Sequence, residues 1–555
     1  TASPIWRRRW IARKRPARRC CIRRIALRRA RPRYSNSRAA TLLKCTMASD
    51  APVITPMKAC RRAQRGRTLR AVRALLISTG LAAALPASAA DTALGGADNT
   101  AATGSAAAPA APAAAAASCA RPAIMFNRWQ ENWSALANPC VPKAPFDSLK
   151  YIPLFGNPDA YISLGMVLRE RLEINDAPLF GLGAAHDDTY LLQRLEVHAD
   201  VRLGPHVQIF TQFESAQPYG KDFVTPVDKN PLDLRQAFVA VTEPLGPGTF
   251  KVRVGRQEMA FDLQRFISVR DGPNVRQAFD AIWADYETGP WRWIAYATQP
   301  VQYRDNADFD DVSNRDLTFS GVRVERKNVG PGDLSAYYSR YNRNNAHFLD
   351  ASGAEHRDVF DARYAGTVAH IDWDVEAMYQ SGHVGAKTIG AWAVGSLAGY
   401  TLASVPWTPR VGIQVDAASG DSHPGDGRIG TFNPLFPNGY YFALAGYTGY
   451  TNLVHVKPTL ILKPNSKLTL LAGVGLQWRE TTADAVYQQG SAVVPGTAGH
   501  GSPWTGFYTQ LRADWAVTAN LAAALEAVHF QVGPSLRDLG ARNADYVGAE
   551  LKFGW

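Results

Sequence analysis

The sequence is short of cysteine, and the few cysteines that it has are unevenly placed. Four of the six lie in the first sixty residues, and none follows Cys140. The long remainder of the chain therefore lacks the thiolate ligands of a zinc or iron–sulfur site. Cys119 and Cys140 are the pair that remains, and in an oxidising compartment such a pair is most simply one disulfide. Two free thiols are the alternative.

The first ninety residues contain one apolar run, but it is too short to span a membrane as a helix. It covers residues 74–85, whereas a spanning helix needs roughly 20 apolar residues. A basic stretch precedes it, and Ala87-Ser88-Ala89-Ala90 follows with the small residues of a signal peptidase site. We predict that residues 1–90 are a leader, made of upstream sequence from a misplaced start and a signal peptide over 57–90.

After the leader the sequence has no excess of basic residues. Residues 1–90 hold 23 of the 61 Lys and Arg residues and one of the 48 acidic residues, which leaves 38 basic and 47 acidic residues in 91–555. The body of the chain is therefore acidic, and the overall charge of +13 comes from the leader alone. A nucleic-acid backbone needs a basic surface, so we exclude nucleic acid as a partner.

The composition divides the rest of the chain into three parts. Residues 91–118 are nearly all Ala, Pro, Gly and Ser, which cannot bury a core and predict a flexible tether. Residues 119–158 form a short segment with two tryptophans, which we place in the periplasm. From 159 to 555 the residue pattern does not change again, and we expect one domain there.

This last part lacks helical periodicity and instead alternates apolar and polar residues. In 190–203, for example, Leu195, Val197 and Ala199 share one face, while Arg194 and Glu196 lie on the other. We predict eighteen strands, near residues 159–173, 188–203, 206–217, 231–243, 250–257, 277–288, 291–303, 316–328, 332–344, 358–370, 371–384, 387–402, 409–421, 451–463, 466–480, 503–518, 520–533 and 544–555.

The connections between these strands alternate in length, with one exception at 384–387. Short ones such as Gly204-Pro205 alternate with long ones such as 258–276 and 345–357. Short periplasmic turns facing long extracellular loops are typical of a closed antiparallel transmembrane β-barrel, and an even strand number suits closure. A large soluble all-β protein is the alternative, but it has no reason to show this asymmetry.

The last residues of the sequence also indicate a transmembrane barrel, and they specify the bacterial outer membrane. Val547, Ala549, Leu551, Phe553 and Trp555 alternate with polar residues and glycine, as in the C-terminal assembly signal of bacterial outer-membrane proteins. We therefore predict a protein of the bacterial outer membrane, a monomer surrounded by outer-membrane lipid and lipopolysaccharide. We also expect the barrel-assembly machinery to recognise it through Trp555.

No arrangement of residues indicates an enzyme, a cofactor or a metal. Gly420-Asp421-Ser422-His423 resembles the nucleophile block of some esterases, but no partner acid or base can be assigned to it. The glycines of 425–430 match a dinucleotide pattern, yet the prolines that follow exclude the helix that this pattern requires. We predict no catalytic residues, no cofactor and no metal ligands.

The inward faces of the predicted strands carry both signs of charge. Mixed charges serve to keep a water-filled interior polar, whereas rings of Arg and Lys favour anions. Arginines are concentrated in 255–280, where a loop folded inward would narrow the pore. The candidate pore-lining residues are Arg171, Arg194, Arg256, Arg270, Arg276, Asp280, Arg363, Arg479 and Arg512.

Several motifs resemble those of one family. They are Gly255-Arg256-Gln257-Glu258, Arg270 to Arg276 with Phe279-Asp280, Arg128 to Ser134, Tyr190 to Arg194, and Thr431 to Pro437. Together they make the chain over about 121–555 similar to the alginate export family of outer-membrane porins, and more to the broad family than to its founding alginate porin. The resemblance implies an eighteen-stranded monomeric barrel that passes an anionic polysaccharide through an arginine-lined pore, with Arg194, Arg256 and Arg276 in it.

These observations leave four functions open. The first is passive export of a polyanion such as alginate, and the second is a diffusion porin for uptake of small organic acids or aromatic compounds. An enzyme embedded in the barrel is the third, and a structural or adhesin role is the fourth. The charged inward faces favour the first two.

Overall fold

The computed structural model of the chain describes residues 119–182 and 187–555. The predicted leader and the tether, 1–90 and 91–118, lie outside these residues. Strands dominate what is described. Among the described residues, no helix is long and apolar enough to cross a membrane.

In the residues that the structure describes, twenty-one strands form one sheet. Their bounds are β1 Ile152–Leu154, β2 Asn157–Asn175, β3 Asp188–Leu203, β4 Val207–Tyr219, β5 Asn230–Leu245, β6 Gly248–Gln257, β7 Phe279–Thr288, β8 Trp291–Gln302, β9 Val312–Ser313, β10 Leu317–Val329, β11 Gly332–His347, β12 Ser352–Val368, β13 Ile371–Val384, β14 Lys387–Thr401, β15 Arg410–Ala418, β16 Arg428–Ile429, β17 Leu453–Asn465, β18 Leu468–Trp478, β19 Trp504–Ala516, β20 Leu521–Val532 and β21 Ala544–Gly554. The helices are single turns at Arg128–Gln130, Ser134–Ala137, Asp147–Lys150, Pro178–Gly181, Gln489–Ser491 and Pro534–Arg537.

Eighteen of the strands make a closed barrel wall, and β1, β9 and β16 are short additions to it. Each wall strand is antiparallel to its neighbours, and β2 pairs with both β3 and β21, which closes the ring. Closure leaves no unpaired sheet edge, as a sheet in lipid requires. The predicted closed eighteen-strand antiparallel barrel is confirmed.

The alternation in the sequence sets which residues face inward. Along β3, Arg194, Glu196 and His198 are buried inside the barrel, while Val197 is exposed on the outer face. Around the wall the outward residues are mostly apolar, whereas the inward residues are mostly polar or charged, with aromatic rings such as Phe210 and Phe238 among them. This is the arrangement expected of a barrel with lipid outside and a polar interior.

Connections at one end of the barrel, which we call the turn end, are mostly two to four residues long. The exception there is 402–409. At the opposite end, the loop end, lie the long connections, of which 258–278 and 419–452 are prominent. The connection 385–386 is short, as the sequence indicated.

The predicted strand boundaries lie within three residues of those in the structure, except for one that differs by six. The strand expected to start near residue 358 is β12, which starts at Ser352, so the connection before it covers only 348–351. Pairing resumes beyond a register shift, with Ala346 opposite Gly353 and His347 opposite Ser352. Gly353 has φ +122°, a conformation that glycine adopts far more easily than other residues. The two strands therefore continue past the irregularity.

Candidate channel lumen

The connection 258–278 folds into the barrel and crosses it; we call it the inward loop. On one side, Arg169 of β2 donates a hydrogen bond to the main-chain oxygen of Asp271 at 2.7 Å. On the other side, Arg265 of the loop lies 2.6 Å from Asp374 and 2.8 Å from Glu376, both on β13. The loop is thus attached to opposite walls, and it narrows the lumen between them.

A second loop, 419–452, packs against the inward loop. Phe266 of the inward loop lies 5.5 Å from Phe432 and 5.1 Å from Tyr450, measured between ring centroids. The Tyr441 hydroxyl donates a hydrogen bond to Asp416 of β15 at 2.8 Å. The aromatic contacts bury both loops inside the wall, so the loop end of the lumen is filled by side chains.

The segment 119–156 occupies the lumen at the turn end. Its Cys119 and Cys140 are joined by a disulfide, with their Cα atoms 5.3 Å apart. The main-chain oxygen of Trp129 accepts hydrogen bonds from Arg202 and Gln208, both at 2.8 Å. The guanidinium of Arg253 lies 4.2 Å from the Trp129 ring centroid. We call residues 121–150 the plug, because they sit among inward side chains of β3, β4 and β6.

A buried ion pair within the plug stabilises its fold. Lys150 lies 3.2 Å from Glu131, which also accepts a hydrogen bond from the Trp133 indole at 2.7 Å. Trp133 is only 1% exposed. Burial lowers the pKa of Lys150 to about 8, although Glu131 favours its charged form. Arg128 donates a hydrogen bond to the main-chain oxygen of Trp555, which links the plug to the last wall strand.

Three of the predicted pore residues point inward but are fully paired with carboxylates. Arg171 lies 2.6 Å from Glu173 and 2.7 Å from Glu526. The other two are Arg512, paired with Asp514 and Glu526, and Arg363, paired with Asp374 and Asp262. These arginines contribute little net positive charge to the lumen.

Arg194 and Arg276 meet at the inward loop. Both approach Asp271, which Arg194 contacts directly and which lies 3.7 Å from Arg276. Arg276 also lies 2.7 Å from Glu258 and has its guanidinium 4.5 Å from the ring centroid of Phe126 in the plug. The structure thus brings these two predicted residues together where loop, wall and plug meet.

Arg256 and Asp280 pair with each other at 2.9 Å, but they do so on the outer face. They share strand parity with Val254, 48% exposed, and Ile282, 56% exposed. Gly255 takes φ +130° but adds no residue to the register, so β6 has no bulge there that would turn Arg256 inward. Their predicted pore-lining role is therefore corrected. The ion pair lowers the cost of an arginine on this face, about 2–4 kcal/mol at the bilayer midplane.

Arg479 is likewise not available to a solute. Its guanidinium donates hydrogen bonds to main-chain oxygens of its own loop, including those of Asp484 at 3.2 Å and of His500 and Ser502 at 2.7 Å. Through these hydrogen bonds Arg479 organises the loop 479–503. The prediction that it lines the pore is therefore also corrected.

Four other cations face the lumen without forming an ion pair with any carboxylate in the described part of the chain. Lys251 and Arg253 lie on β6 beside the Trp129 ring. Arg270, a predicted pore residue, donates a hydrogen bond to Gln277 at 3.3 Å from within the inward loop. Lys457 of β17 donates one to the main-chain oxygen of Phe442 at 2.9 Å. They supply the uncompensated positive charge of the interior.

A closed eighteen-strand barrel with an apolar outer face, a charged interior and a loop folded across the lumen is an outer-membrane channel of the porin class. The fold and the inward loop define this class without reference to a substrate. The chain belongs to the alginate export family, which matches it over residues 160–550. The protein is therefore located in the bacterial outer membrane, in contact with lipid.

The chain is similar to several solved porins, at low sequence identity. A BenF-like porin from Pseudomonas fluorescens Pf-5 has a TM-score of 0.50 and 11% identity, covering 71% of this chain and 98% of the porin. OpdO from Pseudomonas aeruginosa has a TM-score of 0.48 and 12% identity, covering 71% and 97%. OpdK from the same organism, solved with vanillate, has a TM-score of 0.47 and 12% identity, covering 71% and 98%. No curated protein matches the chain in sequence.

Proposed function

We propose that this protein is a passive channel for an anionic substrate and that it exports an alginate-like polysaccharide. The observation that carries the proposal is the set of uncompensated cations in the lumen, Lys251, Arg253, Arg270 and Lys457. Membership of the alginate export family supports the polysaccharide as the anion.

Uncompensated cations matter more than paired ones for selectivity. A guanidinium that contacts a carboxylate presents a nearly neutral pair to a passing ion, whereas an unpaired one attracts anions. Low-dielectric walls focus such a field along the lumen. Because the four cations come from β6, the inward loop and β17, an anion meets positive charge on more than one side.

Replacing two of these cations should shift the channel from anions toward cations. We expect Lys251→Gln with Arg270→Gln to move the zero-current potential, measured in a planar bilayer across a potassium chloride gradient, toward the potassium equilibrium value. Both substitutions remove charge and keep a polar side chain, so the barrel should still migrate as a heat-modifiable band.

The matched control removes an ion pair from the outer face. Arg256→Gln with Asp280→Asn should leave the zero-current potential where it is in the unmodified protein. If the lumen variant behaves like this control, the proposed anion channel loses its physical basis.

A second candidate is uptake of small organic acids, and the filling of the lumen favours it. Two loops enter from the loop end and the plug from the turn end, which suits a small solute better than a polymer. Proteoliposomes distinguish the two. Release of a trapped polyuronate supports export, whereas permeation of monomeric acids with retention of the polymer supports the uptake porin.

We propose further that Trp555 is read by the barrel-assembly machinery. Its ring stacks on Phe146 with centroids 4.7 Å apart and lies 5.9 Å from that of Phe553. Trp555→Ala should lower the amount of heat-modifiable barrel in outer membranes, because the terminal aromatic of the signal is lost. Trp515→Ala, which removes another exposed aromatic near the turn end, should assemble at the normal level. Equal yields of the two variants would contradict the proposal.

A further inference from the structure

An acidic pocket lies where the inward loop meets the barrel wall. It is formed by Asp262 of the loop, Asp361 of β12 and Glu376 of β13. One oxygen from each of these carboxylates lies within 4.8 Å of the others. The pocket thus joins three parts of the fold through like charges, which repel one another unless something neutralises them.

Arginines neutralise most of this charge but leave Asp361 out. Arg323 binds Asp262 at 2.7 Å, and Arg265 binds Glu376 at 2.8 Å. Arg363, the third arginine, lies 3.1 Å from Asp262 and also contacts the neighbouring Asp374. The three arginines therefore pair with three of the four carboxylates, and the fourth, Asp361, has no cationic partner at ion-pair distance among the described residues.

Asp361 is buried and has no hydrogen-bond partner. It is 5% exposed, and neither of its carboxylate oxygens has a partner in the described structure. Tyr337 of β11 lies opposite Asp361 in the strand register, and its buried hydroxyl is also without a partner. Buried polar atoms are nearly always satisfied, and an unpaired buried carboxylate is costly. We therefore expect a ligand from outside the chain to contact the Asp361 carboxylate and the Tyr337 hydroxyl.

The donors and their spacing fit a calcium ion. Ca²⁺ takes 6–8 oxygen ligands at about 2.3–2.6 Å, so ligands on opposite sides of the ion are about 5 Å apart. The pocket offers only oxygen donors, and Asp361 has both of its oxygens free for a bidentate contact. Zn²⁺ prefers nitrogen and sulfur ligands, and Mg²⁺ requires a tighter octahedron at about 2.0–2.1 Å.

We propose that Asp361, Glu376, Asp262 and the Tyr337 hydroxyl bind one Ca²⁺ ion. Such an ion fastens the inward loop, through Asp262, to two adjacent wall strands. It therefore fixes the position of the segment that narrows the lumen. The site does not depend on which substrate the channel carries.

Calcium binding by the full-length exported protein tests the site. The protein is extracted from outer membranes in detergent, freed of lipopolysaccharide and stripped with a chelator, and Ca²⁺ is then measured by equilibrium dialysis. We expect the unmodified protein to bind one more Ca²⁺ ion per chain than Asp361→Asn. Asp358→Asn, which changes an exposed acid on the outer face of the same strand, should bind as many ions as the unmodified protein.

Equal Ca²⁺ binding by the unmodified protein and Asp361→Asn would overturn the proposal. It would mean that the Asp361 carboxylate is neutralised by a proton instead. Heat-modifiable migration shows whether each variant is folded. If Asp361→Asn does not fold, Tyr337→Phe replaces it, because loss of a single neutral ligand leaves the barrel charge intact. We then expect at least a several-fold weaker affinity at this site, and an unchanged affinity would overturn the proposal.

Discussion

Deleting residues 119–142 is expected to raise the single-channel conductance several-fold. The deletion removes Phe126, Trp129 and Trp133 from the lumen, together with the disulfide, and leaves the wall strands untouched. Since these aromatic rings lie among Arg202, Arg253 and other inward side chains, their loss opens the turn end to water and ions. Current steps in a planar bilayer at fixed voltage measure the effect.

A point variant and a control make the result specific to the lumen. Phe126→Ala with Trp129→Ala should raise the conductance in the same direction by a smaller amount. Phe146→Ala changes a third aromatic of the same segment, but one that stacks on Trp555 at the rim, and should leave the conductance unchanged. A deletion variant with unmodified conductance would mean that the plug does not obstruct the path of ions.

Asp271→Asn is expected to strengthen the preference for anions several-fold. Asp271 is contacted by Arg194 and lies 3.7 Å from Arg276 and 3.8 Å from Lys552. Neutralising this single acid removes one negative charge from among three cations around the inward loop, so an anion passing there is attracted more strongly. The permeability ratio of chloride to potassium, taken from the zero-current potential in a salt gradient, records the change.

The control for this variant is Asp280→Asn, which neutralises an acid of the outer face. It should leave the ratio unchanged, since its charge is separated from the lumen by the wall. An Asp271→Asn channel that prefers cations more than the unmodified protein would show that the three basic residues do not face the permeation path.

The wall of the barrel is predictable from the sequence because its physical cause is local. A strand between lipid and a polar interior must alternate, so the pattern of 190–203 is enough to orient Arg194 and Glu196. Turn residues such as Gly204-Pro205 mark where one strand ends and the next begins. The boundary near 352 was misplaced because pairing resumed beyond a bulge, which alternation does not reveal.

The pairing of charges inside the lumen is not predictable in the same way. Arg171 meets Glu526 across more than three hundred residues, and the sequence contains no signal for that contact. Strand parity is enough to place Lys251, Arg253 and Lys457 on the inward face, but only the tertiary structure shows that they form no ion pair with a described carboxylate. The roles of Asp262 and Asp271 were missed because they depend on how the inward loop crosses the barrel.

Arg256 illustrates the limit of inference from motif. The resemblance to the family places it in the pore, whereas in the structure it shares the outer-face parity of Val254. Gly255 accommodates the twist through its positive φ, and a Cβ at this position would lie 2.2 Å from the main-chain oxygen of Ala237. The glycine is thus required by close strand packing rather than by a bulge.

The contacts between the plug and the final strand have a consequence for the order of events during biogenesis. Arg128 binds the main-chain oxygen of Trp555, and Phe146 stacks on the Trp555 ring, so the plug contacts the residue that directly follows β21. These contacts with Trp555 require that β21 has already paired with β2. The plug can therefore close the turn end only after the barrel itself has closed. A plug bound in the lumen would thus mark a fully assembled barrel.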